Sequence, residues 1–427
     1  MTKILRNKSN IDLDYPICRP SLDLDFTQEV LDPRITFSRG SIGTRVNRNR
    51  LIEIVSANLP RFDYDPVTGE CRGLLIEESR SNSLLRSEDF SLWSVSNGSV
   101  QSNVITAPDG NTTADKLVEN STTGNKEVFR SSITFTSGTS LTFSCFVKAG
   151  ERNLFRLGFT TGFFASTTEV HFNLTSGTVS STFGGVTSAS IIPYPNGWYR
   201  CVATVLPTSS GSGNVFITLV RSGIQSNYVG NGTSGLYLWG AQLEAGAFPT
   251  SYIPTIASTV TRSFDNAEMT GRNFSSWYNQ TEGTFFYNGT LPFITNDTVG
   301  RVPFGVSNGF NFSNSIYVAK TSTSLGLSFT VINNNVSQTT GTSLPNMTSS
   351  KFKIASSVAP NNIYSCGYGG VVNKHSRPSA AIPTATRLTL GKEPWNGSAL
   401  NPIIGCITRF TYYPRALKPN QLQYLTQ

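Results

Sequence analysis

The sequence predicts an all-β protein: tandem antiparallel β-sandwiches, a jelly roll followed by a second sandwich, behind a small β lead-in. Three observations predict it. Apolar residues recur at period 2 in short runs separated by Gly, Ser, Asn and Pro, and helical periodicity is nearly absent. Charged residues make up only 14% and aromatic residues 11%, the balance of a chain rich in strands and turns. A length of 427 residues allows two or three domains, each burying its own core.

Taken in order, residues 1–25 are polar and turn-rich, and read as an arm that docks on a partner and needs no core. Residues 26–86 form the lead-in, with small strands expected around 51–55 (LIEIV) and 74–76 (LLI). Residues 87–253 alternate most clearly. In 141–148, Leu141, Phe143, Cys145 and Val147 share the core face, Thr142, Ser144 and Lys148 lie opposite, and Phe146 alone blurs the pattern. The run 215–220 (VFITLV) is apolar on both faces, as in a central strand covered twice. Residues 235–254 (GLYLWGAQLEAGAFPTSYIP) alternate, then stop on a Pro-bounded turn that closes the sandwich. Strands of this kind joined by Gly/Ser/Asn turns make a jelly roll. Trp198 and Trp239 could stack on a sugar, but each falls inside a strand, so core packing is expected. Residues 254–282 form a connector, where Phe274, Trp277 and Tyr278 at i, i+3, i+4 predict one helical turn packed on a sandwich. The last module, 283–427, runs from strand 283–287 to strand 405–413. A terminal helix follows, with Pro419 in its first turn and Leu422 and Leu425 facing inward.

Charge divides the chain. Residues 1–92 carry 13 basic and 14 acidic side chains, whereas 283–427 carry 11 basic groups against only Asp297 and Glu393. The net +8 therefore sits in the last module, where it would favour an anionic partner such as an acidic glycan or an acidic protein surface. In the lead-in, Arg39, Arg45, Arg48 and Arg50 are balanced by Asp63, Asp65, Glu77 and Glu78, which predicts internal ion pairing and argues against nucleic acid as a partner. No apolar run reaches the roughly 18 to 20 residues of a membrane-spanning helix, so membrane insertion is not expected; the start also lacks the apolar core of a signal peptide. Six scattered cysteines with no CxxC pair read as reduced thiols.

Residues 60–82 (PRFDYDPVTGECRGLLIEESRSN), 107–118 (APDGNTTADKLV), 197–205 (GWYRCVATV) and 235–254 together resemble tail and fibre proteins of tailed bacteriophages over roughly residues 26–282. The middle module also resembles carbohydrate-binding modules of the β-sandwich type. Residues 283–427, with their closing strand and terminal helix, resemble concanavalin A-like, laminin G-type modules. These resemblances imply a virion protein, a tail fibre, spike or head decoration, made in the host cytoplasm. It would dock on other virion proteins through residues 1–25 and adhere to host-surface glycan by its outer modules. A decoration or adaptor protein without a ligand, and a polysaccharide-degrading spike, remain alternatives. Copy number, a homotrimer included, stays open.

Little in the sequence supports catalysis, and an enzyme is not expected. His171 lies in a strand pattern and His375 in a polar loop, where solvation is expected; HExxH, GxSxG, Walker A and strand-to-helix GxGxxG motifs are absent. A glycosidase needs two carboxylates about 5 to 10 Å apart. Glu77 and Glu78 are adjacent and point to opposite faces of a strand. Asp63 and Asp65 could share a face, but their DYDP setting reads as turn chemistry. Two carboxylates in the last module make a tight Ca²⁺ site doubtful, and no metal or other cofactor is expected. For carbohydrate binding, which needs an exposed aromatic plane beside an amide or hydroxyl, the candidates are Trp395 with Asn396, then Tyr364 and Tyr368.

Overall fold

The computed structural model describes residues 18–291, 300–309, 312–320, 326–339, 350–367, 370–375, 381–393 and 403–427. Two β-sandwiches account for most of them. In the middle sandwich, one six-stranded sheet runs in the order Val186–Pro193, Trp198–Val205, Leu141–Ala149, Gly235–Ala245, Ala114–Glu119, Gly98–Ile105. The other runs Thr178–Phe183, Thr168–Asn173, Leu154–Phe159, Gly211–Val220, Glu127–Phe135, Ser94–Ser96. All pairings are antiparallel, and the inward faces meet in one core that includes Phe143, Cys145, Val147, Phe155, Leu157, Ile217 and Leu243.

The strand Gly235–Ala245 shows how its sequence sets its faces. Leu236 and Leu238 point into that core and so do Ala241 and Leu243, a change from even to odd positions. The switch falls at Gly240, whose φ of 61° is open to glycine at little cost, opposite a register shift between Ser144 and Phe146. The bulge turns Trp239 outward, where it joins Phe146, Trp198 and Tyr252 in a second buried cluster. Phe146 blurs the alternation for this reason: its face is covered as well. Trp198 and Trp239 are 1% exposed, and their indole N–H groups donate to Thr106 O and Thr113 Oγ1, so both are core residues.

The terminal sandwich is assembled from both ends of the chain. Its larger sheet runs Val371–Lys374, Asn362–Gly367, Lys351–Ala359, Gly283–Thr290, Gly405–Tyr413, Cys71–Ile76, Phe62–Tyr64. The facing sheet runs Thr36–Ser38, Asn266–Thr270, Arg387–Leu390, Arg301–Ser307, Ser315–Lys320, Leu327–Asn333, Val336–Ser337. This corrects two boundaries drawn from the sequence. Residues 22–25 are not the end of a core-free arm: Leu22–Asp25 pairs with Tyr412–Arg409, and Leu22, Leu24 and Phe26 are 1%, 3% and 1% exposed. Nor does 26–86 form a module apart, because Thr36–Ser38, Phe62–Tyr64 and Cys71–Ile76 are strands of the terminal sandwich. A four-residue strand with alternating burial has too few positions for its period to stand out in a sequence.

The helical turn and the terminus follow the sequence reading, but 254–282 is more than a connector: Asn266–Thr270 is an inner strand of the terminal sandwich, paired with Thr36–Ser38 on one side and Arg387–Leu390 on the other. Arg272–Ser275 is a helical turn, and Phe274, Trp277 and Tyr278 all enter the terminal core. The helix Pro419–Thr426 lays Leu422 and Leu425 on the outer face of the larger sheet, with Phe286, Cys366 and Leu417.

Candidate functional site

Residues 60–82 and 235–254, which carry much of the resemblance, meet in space at the junction of the two sandwiches. Asn82 ties them together: its amide donates to Ala241 O and Ile253 O, and its Oδ1 accepts from the backbone N–H groups of Leu84 and Leu243. A buried amide with all four hydrogen bonds made costs nothing in unmet polarity. Beside it lies a fully buried ionic cluster. Arg61 pairs with Asp265 at 2.6 Å and Glu77 at 2.8 Å, Arg39 with Asp265 at 3.1 Å and Arg262 with Glu77 at 3.2 Å; all five side chains are 0–3% exposed. Arg39 spends its other donors on the carbonyls of Ser41, Val55, Ser56 and Leu59. Glu77 also accepts from Ser251 N and Oγ, and Glu244 from Thr250 N and Oγ1.

Three guanidiniums thus share two carboxylates, contributed by the lead-in and the connector, and Glu244 at the end of the middle sandwich acts on Arg262 from nearby. Burial alone would raise the Glu77 carboxyl, but Arg262 and Arg61 pull it down to about 2. A second knot lies alongside: Glu78 pairs with Arg80 at 2.5 Å and Arg301 at 2.7 Å, and both guanidiniums lie over the Phe248 ring, at 5.0 and 5.4 Å from its centroid. Gly246 suits this turn because its φ of 137° is one that residues with a side chain rarely adopt. The sequence expectation of internal ion pairing is met with other partners. Arg45 pairs with Glu53 and Arg48 with Glu29, while Arg50 donates to Val67 O.

At the edge of this junction is a half-open cavity of about 120 Å³. Phe146, Tyr194 and Tyr252 supply its aromatic wall and Arg45, Asp63, Arg72 and Arg200 its charges. Asp63 is not turn chemistry, as its neighbour Asp65 is: Asp65 accepts from Val67 N and Thr68 N, whereas Asp63 sits in a buried strand, accepts from Val46 N at 2.8 Å, and lies 3.7 Å from Arg72. Burial pushes its carboxyl up to about 6 against the pull of Arg72.

The sign of the linkage follows. A carboxyl raised from 3.8 to about 6 binds its proton more tightly in the folded chain, so it lowers stability as pH rises from about 4 to about 6 and holds that cost above. At most the cost is about 3 kcal/mol, roughly two units at 1.36 kcal/mol each. Asp63→Asn should therefore raise stability at pH 7.5 by about 1–3 kcal/mol and flatten its fall between pH 4 and 6. Urea unfolding at several pH values checks this; an unchanged pH slope would mean that Asp63 titrates normally.

Of the expected sugar-binding residues, Trp395, Asn396 and Tyr368 lie outside the described residues, as does Asp297. Tyr364 is in the strand Asn362–Gly367, half-buried in the layer beneath the terminal helix, with Lys374 Nζ 5.9 Å from its ring centroid. His375 corrects an expectation: it is 1% exposed rather than solvated, with its N–H bonded to Ile363 O and its ring to Ser365 Oγ. His171 lies in a strand as expected, is buried, and meets Glu169 at 2.8 Å, which Arg156 also holds. All six cysteines are free. Among the described residues no group of three His, Cys, Asp or Glu side chains is placed to hold a metal ion, and no helix is long and apolar enough to cross a membrane. The seam cavity went unread in the sequence because its walls come from residues 44–77, 146–252 and 404–405, which no local pattern connects.

No protein-family model matches the chain, and no curated protein does. Among solved structures, the CBM40 module of the Ruminococcus gnavus IT-sialidase bound to α2,3-sialyllactose is similar at 14% identity and a TM-score of 0.32, over 36% of this chain and 86% of that one. The same module without a named ligand gives the same identity and score over 88% of its length. Domains LG4-5 of the mouse laminin α1 chain are similar at 10% identity and a TM-score of 0.24, over 68% of this chain and 89% of that one. Likenesses this distant carry no functional argument.

Proposed function

We propose that this chain is a structural and adhesive protein of a tailed-phage particle, docked through its first residues and presenting two rigidly joined sandwiches to glycan on the host surface. One observation carries the reading: the resemblance to phage tail and fibre proteins is borne by residues such as Arg61, Glu77 and Asn82, and these residues join modules rather than line a reactive centre. A shared way of locking sandwiches together suits a particle component, which needs a stiff unit that transmits position. The two buried histidines, each bonded within its own sheet, support binding over catalysis.

Screening the intact protein on a glycan array, with immuno-electron microscopy of particles from infected cells, tests the proposal. Label on virions together with salt-sensitive glycan binding is the expected result, since attraction to the basic last module is screened within about 8 to 10 Å at physiological ionic strength. Label on virions without glycan binding would favour the decoration reading. Absence from particles would overturn the proposal.

A further inference from the structure

The seam cavity is the feature that the ion cluster does not explain. Its charged lining is mixed and mostly spoken for. Arg45 is held by Glu53 and Phe62 O, Arg72 by Asp65, Arg200 by Ser144 Oγ and Thr250 O, and Glu77 by Arg61 and Arg262. Two polar groups are left over. Asp63 Oδ2 has only Arg72 at 3.7 Å, beyond hydrogen-bond range, and the Tyr194 hydroxyl has no hydrogen-bond partner among the described residues, although Asp63, Arg72 and Arg200 are near enough to act on it. Tyr194 packs edge-on against Phe146 at 5.0 Å, and Phe146 against Tyr252 at 6.2 Å, so an aromatic wall stands beside both leftover groups.

These features select a class of ligand. Arg45, Arg72 and Arg200 oppose a cation; Asp63 and Glu77 oppose an anion. A neutral molecule with hydroxyl donors on one edge and an apolar face on the other meets no such penalty. An enclosed cavity of about 150 Å³ takes a six-membered ring the size of benzene, and this one, at about 120 Å³ and open on one side, can take a ring whose substituents continue into solvent.

We propose that the seam between the sandwiches is a binding site for one neutral sugar residue, with the Asp63 carboxylate accepting from a sugar hydroxyl, the Tyr194 hydroxyl making a second hydrogen bond, and the half-buried Ile192 and Tyr194 side chains forming the apolar wall, backed by the buried rings of Phe146 and Tyr252. The proposal rests on the adhesive reading and gives it a subsite distant in sequence from the terminal-module candidates. Being built from both sandwiches, the site exists only while the junction is closed.

Saturation-transfer NMR on the full chain, with methyl glycosides of galactose, glucose, mannose, rhamnose and N-acetylglucosamine as probes, tests it. At least one glycoside should bind. Tyr194→Phe should weaken that binding about 3- to 10-fold, the factor for one neutral hydrogen bond, and Asp63→Asn about 10-fold or more, the factor for one to a charged acceptor. Both variants should melt no lower than the parent chain. Glycoside binding unchanged in both variants would overturn the seam site and place the sugar elsewhere. Glycan binding on the array with no glycoside binding would overturn it too, leaving the adhesive reading intact. Glycoside binding lost in the variants, in a protein absent from particles, would uphold the site and sink the adhesive reading.

Discussion

Asp265→Ala should destabilise the chain by about 3–5 kcal/mol, the range for removing one partner from a buried ion pair. Asp265 is 0% exposed and takes hydrogen bonds from Arg39, Arg61 and the backbone N–H of Glu77. Without it Arg39 and Arg61 face one another across a site closed to water. Arg39 already feels that repulsion: burial, then Arg61, holds its guanidinium below its usual range. The loss comes from orphaned charge rather than from the pair's intrinsic worth, so replacing Arg39 and Asp265 together by apolar residues of similar volume should cost much less. Urea unfolding of the two variants, each alone and combined, gives the comparison. The junction also joins the sandwiches, so calorimetry of the parent chain should show one cooperative transition. Two transitions, with only one moved by Asp265→Ala, would mean that the cluster stabilises one sandwich without coupling it to the other.

Deleting residues 1–25 should destabilise the terminal sandwich by more than about 4 kcal/mol. Leu22 and Leu24 are both buried, and losing a single buried leucine side chain costs about 2–5 kcal/mol. Deletion of the strand also strips the backbone partners of Tyr412–Arg409 and the Asp23 carboxylate that holds Arg409 and Thr411. Leu24→Ala is the milder check and should cost about 2–4 kcal/mol. Hydrogen exchange should locate the loss at Gly405–Tyr413. If the chain lacking 1–25 unfolds at the parent urea concentration, residues 22–25 belong to a docking arm after all.

The sequence was a good guide wherever the information is local. Period 2 placed Phe143, Cys145 and Val147 on the core face, and the i, i+3, i+4 spacing put Phe274, Trp277 and Tyr278 in one. Asp65 makes the turn its neighbours imply. The misreadings share one cause. His375 looked solvated because its neighbours are polar, yet it sits against the strand end at Ile363, and burial depends on what lies across a sheet. Phe146 looked like a flaw because a period says which residues share a face and nothing about what covers it.

By itself the sequence determined the all-β class, the alternating faces of the long strands, the terminal helix and the presence of internal ion pairs, because strand pleat, turn chemistry and charge balance are properties of neighbouring residues. Only the tertiary structure decided that Arg39 would meet Asp265, 226 positions away, that Leu22–Asp25 would pair with the last strand, and that a cavity would open between the sandwiches. Those outcomes depend on which faces find each other when the chain closes long loops, and loop closure costs entropy that only logarithmically reflects sequence separation. A strand edge or a buried arginine therefore takes the partner that best satisfies its hydrogen bonds and excludes water, however far along the chain that partner lies.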